Sequence, residues 1–280
     1  MPVSILLCEG EINSPDHRLL RAILPGIPLV VHQSGGKDGL AGLVRGIRRT
    51  NPATCAVADS DFPRHPETWS PSELAHPWRV KKANVPDVMI GWQWPRKEIE
   101  NYFIDPDVLR RVFDWPESDV HQFRDCLEGI YDTIGPATAA RMAITACAPR
   151  RNRVQTAMRL DASEEHLIMA LQERARSHSE RAQLDEVELL RTFGRLLPAC
   201  RRGGQFHTHA IRAFAGKDIF SRLQNSPGIR AELKDRKRLV ERVLHALEHD
   251  AAPHLWLPEW ETLRTEIQDW SPLDAPSEQP

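Results

Sequence analysis

The sequence predicts an α/β domain with a mostly parallel sheet, followed by a region made only of helices. Short apolar runs alternate with helical periodicity from residue 3 to about residue 95, as in successive βαβ units. The runs are apolar along most of their length, which is typical of parallel strands covered on both faces. Beyond residue 96 the apolar residues recur only at helical spacing.

The N-terminal part of the chain alternates predicted strands with predicted helices. We expect strands near residues 4–9, 27–33, 54–59 and 86–92, helices over 14–24 and 37–49, and a loop between the prolines at 63 and 77. Each helix carries leucine, isoleucine or valine at helical spacing. The proline-rich stretch is predicted as a loop because proline interrupts both helices and strands.

The rest of the chain is predicted to be helical. Candidate helices cover residues 97–113, 117–146, 163–178, 183–197, 207–224, 228–250 and 258–268. The segment 271–280 is rich in proline and serine, which predicts a disordered tail. We therefore divide the chain into an N-terminal domain over 1–115, a helical domain over 116–270 and this tail.

The composition is that of a globular protein with a core of its own. The chain has 280 residues, of which 41% are hydrophobic, enough for one large domain or two modest ones. Its five cysteines form no CxxC pair, so neither a disulfide framework nor a thiolate zinc site is expected. No apolar run reaches the roughly twenty residues of a membrane span, and the start lacks a basic signal-peptide region. We expect a cytoplasmic protein without membrane contact.

The net charge of −2 hides an uneven distribution along the chain. Residues 151–240 contain 18 basic and 11 acidic residues, whereas 241–280 contain 2 basic and 9 acidic residues. A basic block beside an acidic centre fits a polyanionic substrate, because phosphate contacts supply most sequence-independent affinity. An arginine-rich solvated helical surface is the alternative, and composition does not decide between the two.

Acidic residues directly follow two of the predicted strands. Glu9 and Gly10 follow the first strand, and Asp59 and Asp61 end the third. Active sites of open parallel sheets lie just outside the carboxyl ends of the strands. Carboxylates that share a small volume repel one another unless a cation neutralises them. The pattern indicates a site for Mg²⁺ or Mn²⁺, with an ordinary strand-to-helix turn and a capping role for the Asp pair as alternatives.

A third acidic pair, Glu98 and Glu100, lies in the segment Arg96-Lys97-Glu98-Ile99-Glu100-Asn101-Tyr102, which opens a predicted helix. Acidic residues in a first helical turn also complement the helix dipole, so a purely structural role is an alternative for Glu98. The order of the three acidic segments within one α/β layer favours a shared metal site. Glu100 is the preferred ligand of the pair.

These motifs resemble the toprim fold, the catalytic domain of topoisomerases, bacterial primases and OLD-family nucleases. The segment Leu7-Cys8-Glu9-Gly10-Glu11 is similar to the first toprim motif, and Ala58-Asp59-Ser60-Asp61 is similar to its DxD motif. Gly35-Gly36-Lys37-Asp38 and the segment from Arg96 to Phe103 resemble standalone toprim proteins related to OLD nucleases. Such proteins, including the toprim effector of the PARIS system, are encoded beside ABC-type ATPases in bacterial anti-phage systems.

The resemblance covers about residues 3–110 and implies a toprim-like catalytic domain over 1–115 with a metal-dependent endonuclease activity. It implies Mg²⁺ or Mn²⁺ ligands, in two sites about 4 Å apart, and lysines that neutralise charge on the reacting phosphate. These residues are Glu9, Asp59 and Asp61 for the first ion, Glu100 and Glu98 for the second, and Lys37 or Lys217 as the cation. The implied partners are DNA or RNA and an ABC-type ATPase, and a homodimer is left open.

The sequence lacks an identifiable nucleophilic tyrosine and a phosphate-binding loop, and both absences bear on the reaction that the resemblance implies. Tyr102 and Tyr131 are the only tyrosines, and neither is identifiable as a transesterification nucleophile. This favours hydrolysis over a topoisomerase reaction. No GxxxxGK[ST] phosphate loop occurs in the chain, so an ATPase activity would belong to the partner.

Three other patterns have rival interpretations. His245-Ala246-Leu247-Glu248-His249 matches the HxxEH motif of inverted zinc peptidases, but only 31 residues follow it and that fold needs a further glutamate well downstream. A partly exposed helix is the preferred interpretation. His207 and His209 are assigned to a cap or loop rather than to a metal. The eight tryptophans could stack on bases, although core packing is the simpler explanation.

A different functional class is also open. The chain could be a non-catalytic regulatory or sensor subunit of an ATPase complex, because its acidic C-terminal segment could dock on a basic partner.

Overall fold

A computed structural model describes residues 2–35, 37–72, 74–82, 85–148, 156–178 and 184–271, with side chains at all of these except 37, 38, 81, 82, 85, 86 and 178. Within these ranges the chain forms two compact units. The sheet unit comprises residues 2–60, 72–115 and 237–271, and the helical unit comprises 61–71 and 116–236. The predicted tail lies almost wholly outside the described residues.

The sheet is mostly parallel, as the sequence predicted, and it has five strands where four were predicted. The strands are β1 (Ile5–Cys8), β2 (Val30–Gln33), β3 (Thr54–Ala58), β4 (His76–Lys82) and β5 (Val85–Gln93), in the order β2-β1-β3-β5-β4. All neighbouring pairs are parallel except β4 and β5, which are antiparallel. The carboxyl ends of β1, β2, β3 and β5 therefore lie along one edge of the sheet.

Twelve α-helices occur in the described part of the chain. They are α1 (Pro15–Ile23), α2 (Lys37–Arg48), α3 (Glu100–Phe103), α4 (Pro106–Phe113), α5 (Glu117–Cys147), α6 (Glu164–His178), α7 (Glu186–Ala199), α8 (Gln205–Thr208), α9 (Ala210–Ala213), α10 (Gly216–Leu223), α11 (Arg236–His249) and α12 (Pro258–Asp269). Short 3₁₀ turns cover Pro66–Thr68, Ala231–Leu233 and Pro253–Trp256. The described residues of the helical unit contain no strand, which agrees with the predicted helical character of this region.

The core of the sheet unit follows from the apolar runs. Every residue of β3 is buried, as expected for a central parallel strand. Leu40 and Val44 of α2 pack against Leu7 of β1 and Ile90 of β5. The spacing of the two α2 residues places both on one face of the helix, which is the stripe that the sequence predicted.

One strand and two helix breaks differ from the predictions. The predicted loop over 63–77 extends too far, because β4 begins at His76 and includes Pro77, and proline is tolerated on an edge strand. The predicted helix 97–113 is divided into α3 and α4, because the Asp105 carboxylate caps α4 by accepting from the amides of Asp107 and Val108 at 2.8 and 3.2 Å. The predicted helix 207–224 is likewise divided into α8, α9 and α10.

The two units are each built from separated parts of the chain, unlike the consecutive domains that we predicted. A boundary does fall after Trp115, but 237–271 belong to the sheet unit and 61–71 to the helical unit. The C-terminal helix α12 joins the sheet unit through Glu259, which forms a buried ion pair with Arg96. Trp260 packs beside Tyr102, with ring centroids 5.5 Å apart.

Candidate functional site

The backbone of one strand end holds the carboxylate of its neighbour. β1 and β3 run parallel with Cys8 opposite Val57, so Glu9 and Asp59 follow at the same edge of the sheet. The Asp59 amide donates a hydrogen bond to Glu9 Oε1 at 3.0 Å. Both residues are half-buried. The structure thus brings together two of the residues that the sequence proposed as ligands.

Gly10 shapes the turn that follows Glu9. Its φ of +88° lies in the left-handed region. Its backbone forms a pair of hydrogen bonds with Gly35, at 3.1 and 3.0 Å, which joins the turns after β1 and β2. A Cβ atom at Gly10 would lie 2.5 Å from the Oγ of Ser14. A side chain at this position would therefore strain the turn that follows Glu9.

Four other acidic residues act electrostatically on Asp59. The pKa of Asp59 is raised well above its ordinary value of 3.8, first because the carboxyl is buried and then because of nearby negative charges. These charges belong to Asp16, Glu9, Glu100 and Glu98, in decreasing order of effect. The three acidic segments therefore do converge electrostatically on one carboxyl. Glu100 raises the pKa of Asp59 more than Glu98 does, and the preference for Glu100 as a metal ligand stays a prediction.

Sequence reasoning did not identify Asp16 as a member of this group. Asp16 lies in the first turn of α1, where Ser14 caps the helix by accepting from the His17 amide at 3.4 Å. An acidic residue at this position is ordinarily explained by the helix dipole. The signal that could have identified it is its closeness in sequence to Glu9, because the cap returns the chain to the same sheet edge.

A closed turn sets the backbone of the third acidic segment. The Glu98 amide donates to Asn101 Oδ1 at 3.0 Å, and the Asn101 amide donates to the Glu98 carbonyl at 3.1 Å. Asn101 is fully buried and Glu100 is 6% exposed, whereas Glu98 is half-buried. Asn101 therefore has a structural role in this segment, and the two glutamates differ in their access to solvent.

Arg96 anchors the same segment from within the core. Its guanidinium contacts Asp105 Oδ2 at 2.7 Å and Glu259 Oε2 at 2.9 Å, and it donates to the Asn101 carbonyl at 3.1 Å. The Arg96 side chain is 3% exposed. Burial alone would lower the pKa of Arg96, but the charges of Asp105 and Glu259 raise it above its ordinary value. This network fixes the segment that carries Glu98 and Glu100.

Asp61 and Lys217 both belong to the helical unit, and both are exposed. Phe62, which follows Asp61, is buried beneath the guanidinium of Arg141, 5.2 Å from the ring centroid. Arg141 also forms an ion pair with Asp218, the residue after Lys217. Within this unit, Arg141 therefore connects the chain beside Asp61 to the helix that carries Lys217. Lys37 begins α2, but its side chain lies outside the described residues.

The donor set fits a hard divalent cation by its chemistry. Carboxylate oxygens are the ligands that Mg²⁺ and Mn²⁺ prefer, and a cation would offset the mutual repulsion around Asp59. In the described part of the chain, however, no three His, Cys, Asp or Glu side chains are arranged so that they could hold a metal ion. The Oε1 atom of Glu9, for example, accepts a hydrogen bond from the Asp59 amide instead.

The two histidine motifs with rival interpretations form contacts within the protein. Glu248 of the HxxEH segment accepts from Arg18 at 2.7 and 2.9 Å, while the rings of His245 and His249 stack with centroids 4.1 Å apart. His207 is buried and lies 2.9 Å from Asp132 Oδ1. The HxxEH segment lies in the partly exposed helix α11, as we preferred. The preferred cap or loop is wrong for His207, which lies inside α8, whereas His209 lies at the junction of α8 and α9.

The cysteines and most tryptophans pack in the protein interior. Cys8 and Cys55 are buried, and all five cysteines are free thiols. Burial is the first cause that raises the pKa of the Cys8 thiol to about 12. Six tryptophans are buried, namely Trp92, Trp94, Trp115, Trp256, Trp260 and Trp270. These six serve as core residues rather than as exposed stacking platforms.

Comparisons with known proteins give no assignment. No protein-family model matches the chain, and no curated protein matches it either. Within the residues that the structure covers, no helix is both long and apolar enough to cross a membrane.

Proposed function

We propose that this chain is a toprim-type nuclease that uses Mg²⁺ or Mn²⁺ to hydrolyse phosphodiester bonds of DNA or RNA. The observation that carries the proposal is the burial of the Asp59 carboxyl among the negative charges of Asp16, Glu9, Glu100 and Glu98, in decreasing order of effect. Carboxylates that repel one another in a folded protein are commonly found where they bind a cation or take part in a reaction. The location outside the ends of parallel strands adds support.

The roles of the side chains follow from their positions. Asp59, Glu9 and Glu100 are the proposed ligands, and their side chains would have to move closer together to hold one ion, since no three side chains in the described residues are arranged to do so. Glu98 and Asp16 would add negative charge around it. When bound, the cation would supply charge neutralisation at a phosphoryl oxygen and activation of water. The hydrogen bond from the Asp59 amide orients the Glu9 carboxylate.

The remaining predicted residues keep the roles that the resemblance implies. Asp61 is proposed as a further ligand, and Lys37 or Lys217 as the cation that offsets charge on the reacting phosphate. We also propose that the protein acts in anti-phage defence under the control of an ABC-type ATPase. This last step rests on the resemblance alone.

A cleavage assay on the full chain tests the proposal. Supercoiled plasmid and a structured RNA are incubated with the protein, alone and with the proposed ABC-type ATPase partner, in Mg²⁺, Mn²⁺ or EDTA. We expect cleavage with a divalent ion, none in EDTA, and none by Asp59→Asn. Asp161→Asn is the matched control, because Asp161 is an exposed carboxylate paired with Arg159. An active Asp59→Asn protein would contradict the site assignment.

A regulatory role is the second candidate. It is favoured by the absence, among the described residues, of three side chains arranged to hold a metal. If no condition yields cleavage but the chain alters the ATP turnover of its ATPase partner, the regulatory role is correct and the nuclease proposal is wrong.

A further inference from the structure

Helix α11 presents one basic face and one acidic face. Arg238, Arg242, His245 and His249 are all exposed, and at about 100° per residue they fall within an arc of roughly 60°. The buried residues of α11 lie on the opposite side, and they are Leu239, Val240, Val243, Leu244 and Leu247. The basic face therefore points away from the core.

The acidic face of α11 already has a partner within the sheet unit. Arg18 of α1 donates to Glu241 at 2.7 Å and to Glu248 at 2.7 and 2.9 Å. The single guanidinium of Arg18 offsets part of the charge of the two glutamates, and its hydrogen bonds are the first cause that lowers the pKa of Glu248. The basic face adjoins the acidic one, since the charges of His249 and His245 also lower the pKa of Glu248.

Aromatic rings hold two arginines at this surface. The guanidinium of Arg242 lies 4.8 Å from the ring centroid of Phe113, and that of Arg111 lies 5.9 Å from the ring of Trp256. Both arginines are exposed. The N–H groups of a guanidinium lie in its own plane. Contact with a ring face therefore restricts the motion of the guanidinium but leaves its N–H groups able to donate to a phosphate.

The first turn of α11 is also basic. It begins Arg236-Lys237-Arg238 and contains no acidic residue. Positive charge at a helix N-terminus opposes the helix dipole. Of these three residues, Arg238 belongs to the basic face.

We infer that the basic face of α11, together with Arg111 of α4, binds the phosphate backbone of a nucleic acid. The stacked rings of His245 and His249 favour this partner over an acidic protein segment, because their flat faces suit contact with a base. The inference deepens the proposed function, on which it rests for the substrate class. It also gives a role to the histidine motif that the catalytic proposal does not use.

Binding in EDTA separates this inference from catalysis. The affinity of the full chain for a fluorescein-labelled single strand and for its duplex is measured by anisotropy between about 50 and 200 mM salt. We expect the double variant Arg111→Gln/Arg242→Gln to bind roughly tenfold more weakly. The slope of log K against log salt should fall by about 1.4 to 1.8, because two phosphate contacts are lost.

Arg191→Gln/Arg201→Gln is the matched control. Both residues are exposed and ion-paired in the helical unit, and the pair changes the net charge by the same amount. We expect it to leave affinity and slope unchanged. If the control variant loses affinity and the test variant does not, the nucleic acid binds elsewhere and the inference is wrong.

Two further outcomes keep the inference falsifiable. Should the double variant fail to fold, Arg238→Gln alone should lower the slope by about 0.7 to 0.9, and an unchanged slope would overturn the inference. Binding of a polyglutamate peptide as tightly as the oligonucleotide would identify an acidic protein as the partner instead. Oligonucleotide binding without cleavage refutes the nuclease and retains the surface, whereas cleavage without any effect of the arginine variants refutes the surface alone.

Discussion

Replacing Arg96 by methionine removes the cation at the centre of the buried network beside Glu98 and Glu100. The Arg96 and Glu259 side chains are each 3% exposed, and that of Asp105 is 9% exposed. Removal of one partner from a buried ion pair typically costs about 3–5 kcal/mol, because the remaining charge has no compensation. Two carboxylates lose their partner here, although Asp105 keeps its capping hydrogen bonds.

We expect the free energy of unfolding of Arg96→Met to fall by about 4 kcal/mol. For a chain of this size each kcal/mol lowers Tm by about 2–4 °C, so Tm should fall by about 10 °C. Urea unfolding followed by tryptophan fluorescence measures the change, since Trp94 and Trp260 flank Tyr102 beside the network. Arg18→Met is the matched control. Its partners are surface carboxylates, so its loss should not exceed about 1 kcal/mol.

A double variant tests the origin of the loss. Arg96→Met/Glu259→Met replaces the buried pair by apolar side chains, an exchange that is often close to neutral. We expect it to be more stable than Arg96→Met alone, which gives a coupling energy of the kind found for contacting residues. A loss below about 1 kcal/mol for Arg96→Met, or simple additivity in the double variant, would refute the argument.

Three other predictions follow from single contacts. Asp59→Asn should raise the stability of the chain at neutral pH in EDTA, because the raised pKa of Asp59 penalises the charged form; the gain should vanish as the pH falls toward 3.8 in thermal scans. Gly10→Ala should lower the unfolding free energy by about 2 kcal/mol, because Gly10 has a positive φ and a Cβ atom there would approach Ser14. The control Gly46→Ala, within α2, should raise the unfolding free energy by about 0.5–1 kcal/mol in the same urea titration. Arg141→Met should lower it by about 2 kcal/mol, intermediate between exposed and buried ion pairs, and an unchanged urea midpoint would contradict the role assigned to this residue.

The parallel sheet was predictable because its strands are short apolar runs. Burial on both faces requires residues such as those of Thr54–Ala58, which have no polar alternation. β4 was not predicted because Pro77 and the basic residues of this strand are more typical of a loop. Proline and charged residues are common on edge strands, where they prevent pairing with strands of other molecules. The pattern of an edge strand is therefore less informative than that of a central one.

The candidate site was predictable where its residues follow strand ends. Glu9 and Asp59 lie at the same edge because the parallel register requires it. Asp16 was not predicted, since the helix dipole already explains an acidic residue in a first turn. The pairing of Arg96 with Glu259 spans 163 positions, and no local periodicity encodes so distant a contact.

The binding of Mn²⁺ to the full chain tests the central claim most directly. Isothermal titration calorimetry is carried out on the wild type, on Asp59→Asn and on the control Asp161→Asn. We predict that the wild type and the control bind at least one ion with the same affinity and that Asp59→Asn loses this binding. Equal Mn²⁺ binding by Asp59→Asn, or no binding by the wild type, would contradict a metal centre at the ends of β1 and β3.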